Sequence, residues 1–105
     1  MNTQESNIAK ARATFLKLHE SGCFVIPNPW DIGSAKYLAH LGFKALATTS
    51  SGFAFSKGLS DEGIDRDLVL QHCQEIAHAT GLPVNADFQN GYSETAEGVA
   101  GSVRL

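Results

Sequence analysis

Most of the features that would mark a specialised class of protein are scarce or missing here. Cys23 and Cys73 are the only two cysteines in 105 residues. The N-terminus, MNTQESNIAK, has neither the basic stretch nor the apolar stretch of a secretory leader. A disulfide scaffold is therefore not expected, and both thiols are read as reduced and packed in a core. No run approaches the roughly 18 apolar residues of a membrane-spanning helix. Eight Lys and Arg against eleven Asp and Glu leave a net charge of −3, which provides no basic footprint for nucleic acid. Low-complexity tracts and linkers are also missing, so residues 1–105 read as one unit. These absences point away from nucleic-acid and membrane partners and make the cytoplasm the default compartment. What is present is an ordinary globular share of apolar residues, 43%, enough for a core.

A junction recurs along the chain: a helix-like segment, then Gly, then an apolar run. It occurs at Gly22, Gly42 and Gly81. Glycine just past a helix enters the left-handed conformation without a Cβ clash. The segments before these glycines carry helical stripes: Ile8, Ala11, Phe15 and Leu18; Ile32, Ala35, Leu38 and Leu41; and Val69, Cys73, Ile76 and Ala77. Asp31 is placed to cap the second, and Asp65 or Asp67 the third. The runs after the glycines, CFVIP, KALATT and PVNAD, are short and mostly apolar, as in strands covered on both faces. Alternating helices and strands predict consecutive βα units around a parallel sheet.

One connection is long. SSGFAFSKGLSDEGI fills the fifteen positions from Ser50 to Ile64, where βα loops usually take about 2–6 residues. In parallel α/β folds such loops build the active site. Polar residues gather at the same end: Asn28, Trp30 and Asp31 after the first strand, Thr48 to Gly52 after the second, and Asn85, Asp87 and Asn90 after the third.

A polar group at the end of a buried strand needs a partner, because burying it unpaired costs several kcal/mol. Asp87 suits an oxygen-preferring cation such as Mg²⁺, or a turn or a helix cap before Gly91. Asp61 or Glu62 offers a second carboxylate, or a solvated loop charge. Ser50, Ser51 and Gly52 are read as a turn whose amides cradle an anion, or as a plain turn. The four histidines lie on the expected helices without metal spacing and are read as solvated or partly packed. Trp30 either walls a pocket or plugs the end of the sheet.

Taken together, NPWDIGSA, TTSSGFA, GLSD and NADFQNGY closely resemble, in order and spacing, the isocitrate lyase/phosphoenolpyruvate mutase superfamily. The resemblance runs from about residue 10 to the end. It implies a (β/α)8 TIM-type barrel, of which this chain supplies about three βα units, since such a barrel takes about 250 residues. It also implies Mg²⁺, a small carboxylate substrate of the 2-oxo acid or enolpyruvate kind, and cleavage or formation of a C–C or P–C bond through a metal-stabilised enolate. By the same resemblance Ser51, Gly52 and Phe53 bind substrate oxygens, Asp61, Asn85 and Asp87 belong to the metal site, and the full-length protein forms homo-oligomers. Asn85 stands where several members carry a ligating aspartate. Thr49 and Ser93 also depart from the family pattern. A metal-shell glutamate, a mobile loop and a substrate-binding arginine are expected beyond Leu105, so the 105 residues alone are expected to be inactive. The alternative expectation is a non-catalytic piece that associates through an open sheet edge.

Overall fold

The computed structural model describes residues 3–105. The helices are α1 (Thr3–Leu18), α2 (Ile32–His40), α3 (Ser50–Ser56), α4 (Arg66–Thr80) and α5 (Ala96–Arg104). Two strands, β1 (Leu46–Ala47) and β2 (Val84–Asn85), pair in parallel with Leu46 opposite Val84 and Ala47 opposite Asn85. The result is a helix-rich α/β structure with parallel strands. None of its helices is long and apolar enough to cross a membrane.

Helix starts follow from local chemistry. Asp31 and Ser34 form a reciprocal capping box on α2. Thr49, Asp65 and Thr95 each accept a backbone N–H from the first turn of α3, α4 and α5. Gly81 ends α4 at φ +76, the left-handed cap expected of it. The core forms two clusters. Ala35, Leu46 and Ile76 join α2 and α4 to the strand, with Leu82 and Val84 packed against them. Phe53, Ala54, Ile64 and Val69 form a second cluster, bordered by Cys73, Phe88 and Tyr92.

The structure corrects several expectations. CFVIP is not a ladder strand: among the described residues only β1 and β2 form one. The segment does run beside β1, since Ala47 N donates to Pro27 O at 2.9 Å. The next rung requires an N–H at position 29, and Pro29 has none. Asn28 Nδ2 takes its place, donating to Ala47 O at 2.9 Å. Cys23, expected in the core, is exposed at the start of this irregular segment, whereas Cys73 is half-buried. The fifteen-residue loop is mostly ordered structure, comprising α3 and a 3-10 turn at Asp61–Gly63. His72 is neither solvated nor partly packed; it is 4% exposed and stacks on Phe53 at 3.9 Å.

The KALATT and PVNAD runs pair over only two residues each. Thr48 N still donates to Asn85 O at 2.9 Å. The following rung would join Asp87 N to the Thr48 carbonyl, but Asp87 N donates to Thr48 Oγ1 instead, at 2.8 Å. A side-chain oxygen has replaced a backbone one, so regular pairing stops and the chain after β2 diverges from the chain after β1. The polar residues sit in that divergence.

Candidate functional site

Two consecutive serines connect the carboxylates. Asp87 Oδ2 accepts from Ser50 N at 3.2 Å and from Ser50 Oγ at 3.0 Å, while its Oδ1 accepts from Gln89 N at 3.3 Å. Asp61 Oδ2 accepts from Ser51 Oγ at 3.1 Å. The first turn of α3 thus gathers one carboxylate from the 3-10 turn and one from the segment after β2. Burial pushes the Asp87 carboxyl up, but the Ser50 and Gln89 N–H groups and the Ser50 hydroxyl outweigh it and hold the carboxyl below its usual range. Asp87 is therefore an anion at neutral pH. Asn85 is exposed at the end of β2, two residues before Asp87.

Ser51, Gly52 and Phe53 do not form an open turn. They belong to α3, where Gly52 N donates to Thr49 Oγ1 at 3.2 Å and Phe53 N to Thr49 O at 3.0 Å. The amides expected to cradle an anion are thus engaged within the helix, because Thr49 is an effective N-cap. Phe53 is 5% exposed and belongs to the core. Gly52 is buried for another reason: a Cβ there would collide with the Trp30 indole and the Thr49 methyl. Trp30 therefore lies over the first turn of α3, about half exposed, and walls the site from the side of the first segment. Of the three positions, only Ser51 directs a side-chain polar group to a carboxylate.

Tyr92 was not among the residues singled out in the sequence. Its ring packs edge-on to Phe88 at 5.1 Å. Burial, followed by the charges of Asp87 and Asp61, raises the phenol pKa. The visible signal was an aromatic residue directly after Gly91, in the same NADFQNGY run that carries Asp87.

The donor set is chemically suited to a hard cation. Asp61, Asp87 and Asn85 present only oxygen acceptors and an amide, and Mg²⁺ takes oxygen ligands while keeping several waters. Asp61 Oδ1 is buried with no hydrogen-bond partner, an arrangement a cation or its water would satisfy. Among the described residues no group of three or more His, Cys, Asp or Glu converges in a metal-binding arrangement. The chain thus provides two carboxylates and an amide, which fits a largely hydrated ion rather than an all-protein cage.

Known proteins resemble this chain in sequence and in fold. Residues 15–105 match the family model described as phosphoenolpyruvate phosphomutase. A Burkholderia cenocepacia structure assigned as a lyase/mutase is 49% identical, with a TM-score of 0.90 over 93% of this chain and 36% of that one. The structure of 2,3-dimethylmalate lyase is 25% identical, with a TM-score of 0.76 over 93% of this chain and 34% of that one. An uncharacterised Mycobacterium tuberculosis protein is 37% identical over 94 residues, which is 83% of this chain and 34% of that protein. The chain spans about a third of the length of each of these relatives. It belongs to the phosphoenolpyruvate phosphomutase family, within the PEP mutase/isocitrate lyase superfamily.

Proposed function

We propose that these residues form part of the active site of a Mg²⁺-dependent lyase or mutase. Its substrate would be a small 2-oxo acid or an enolpyruvate-like carboxylate, and its reaction the making or breaking of a C–C or P–C bond. The observation that supports this best is the pairing of Asp61 and Asp87 through Ser51 and Ser50 at the diverging strand ends. A bound Mg²⁺ would offset the negative charge that builds on the oxygen next to the reacting bond. Asp61 and Asp87, with the Asn85 amide oxygen, would hold the ion and its waters. The Ser51 hydroxyl orients Asp61, and the Ser50 amide and hydroxyl keep Asp87 ionised. Trp30 covers α3 and limits water on that side.

With Asn85 in place of a charged ligand, the site carries one negative charge fewer than a three-carboxylate set, and cation affinity is correspondingly lower. Relatives named for a lyase and a phosphomutase set the substrate panel: substituted malates and phosphoenolpyruvate-type compounds. In this reading the whole protein works in the cytoplasm as a homo-oligomer. Residues 1–105 by themselves are expected to turn nothing over.

The test is turnover of that panel by the intact gene product with MgCl₂, with and without EDTA. Cleavage or rearrangement that EDTA abolishes supports the reading, and metal-independent turnover contradicts it.

A further inference from the structure

α4 carries a histidine for which the site chemistry above has no use. His72 is 4% exposed, and its ring lies on the Phe53 ring of α3, with centroids 3.9 Å apart and planes within 14°. Its Nε2 is buried with no hydrogen-bond partner among the described residues. As a neutral ring His72 is a flat core side chain. As a cation it carries an N–H on both ring nitrogens, and the one at Nε2 has no acceptor. A buried charge without a partner is costly.

The charges around the ring do not remove that cost. A phenyl face attracts cations, but Lys57 Nζ, at the end of α3, already stands 5.7 Å from the Phe53 centroid. Burial is the largest influence on the imidazole and holds it below its ordinary pKa; Glu75, one turn along α4, and Asp31, the cap of α2, pull the other way, and Lys57 adds to the burial.

The helix under this ring is the helix of the site. α3 has only seven residues, too few to persist without tertiary packing, and Phe53 and Ala54 are what it places in the core. Phe53 follows Ser50 and Ser51, which bond to Asp87 and Asp61. A local opening of α3 away from α4 bares the His72 ring to water, where an imidazole takes up a proton near pH 6.5.

We infer that the His72–Phe53 stack is an acid-sensitive latch on α3: the neutral imidazole keeps the helix docked, and protonation favours an undocked form in which Ser50 and Ser51 release the carboxylates. This stands on the serine–carboxylate geometry and not on which cation or substrate that geometry serves. The docked imidazole is the weaker base, so the latch is closed above about pH 6.5 and loosens below it, by at most about 10-fold in the docking equilibrium per pH unit. Acid thereby dismantles the site before it unfolds the chain.

The test is amide hydrogen exchange of the intact protein at about pH 7.5 and about pH 5.5, on either side of the free imidazole value, corrected for the intrinsic pH dependence of exchange. The parent is compared with His72→Phe, which keeps an aromatic stack and cannot titrate. In the parent, the Phe53 N–H, bonded to Thr49 O, should lose up to about 10-fold of its protection at the lower pH. The Leu46 N–H, bonded to Pro83 O, should keep its protection, and His72→Phe should show no loss at either position. Constant protection at Phe53, an equal loss at Phe53 and Leu46, or the same loss in His72→Phe would each overturn the latch. Should His72→Phe not fold, the parent decides alone: loss confined to α3 supports the inference, and uniform loss or none refutes it.

Discussion

Thr48→Val tests whether a single hydroxyl parts the two strands at the site. Thr48 is 4% exposed, and its Oγ1 accepts the Asp87 N–H at 2.8 Å. Valine matches threonine in shape, so it leaves no cavity. What it removes is the acceptor for a half-buried N–H, a loss of about 1–3 kcal/mol when the donor finds no other partner. The added methyl returns about 0.8 kcal/mol of apolar burial. The net destabilisation is then about 0.5–2 kcal/mol, which at a urea m-value of about 1–3 kcal/mol/M lowers the midpoint by roughly 0.5 M. Urea unfolding of the intact protein measures this, and amide hydrogen exchange locates it. Asp87 N–H should lose protection while Leu46 N–H, bonded to Pro83 O, keeps it. A Val variant as stable as the parent, with Asp87 N–H still protected, would refute the reasoning.

Three further outcomes follow from the same structure. Ile76, fully buried between α2, α4 and β1, should cost about 2–5 kcal/mol when cut to Ala, read from the unfolding midpoint. Gly52→Ala would ordinarily stabilise a helix by roughly 0.5–1 kcal/mol, but here it should destabilise by about 1–3 kcal/mol because the new Cβ meets the Trp30 indole and the Thr49 methyl; Trp30 fluorescence should shift as the indole is displaced, and a stabilised variant would contradict the packing. His72 is held below its ordinary pKa by desolvation, with Lys57 adding to the effect and Glu75 and Asp31 opposing it. The unfolded chain then binds the proton first, so stability is fully present above about pH 6.5 and falls as pH drops below it, by at most about 1.4 kcal/mol per pH unit; His72→Leu should flatten that part of a stability–pH curve.

The helices were legible because their signals are local. The stripe of Ile32, Ala35 and Leu38, the cap at Asp31 and the stop at Gly81 need no tertiary information, and each appears where expected. The strands were less legible because the ladder depends on partners. Apolar CFVIP has strand composition, yet Pro27 and Pro29 remove the N–H groups that would have joined it to β1. That Asn28 would substitute for one of them could not be read from one segment alone. SSGFAFS looks like a loop because serine and glycine are turn residues. It is a helix because Thr49 caps it and Phe53 and Ala54 enter the core. At the site, Asp61 and Asp87 were visible as polar residues in apolar company. The serine pair that joins them was visible only as a turn, and Tyr92 owes its position to left-handed backbone angles that no residue type announces.

Whether Asp61 and Asp87 together hold a cation is decided by Mg²⁺ titration of the intact protein carrying Asp87→Asn. The substitution keeps the shape of the side chain and an oxygen facing Ser50 while removing the charge. Mg²⁺ binding should weaken at least about 10-fold from the parent protein to Asp87→Asn, and the metal-free variant should melt at a lower temperature, because its Nδ2 replaces the oxygen that accepts from Gln89 N. Equal Mg²⁺ affinity in the two proteins would contradict a shared cation site and reduce Asp87 to a turn residue bonded to Ser50.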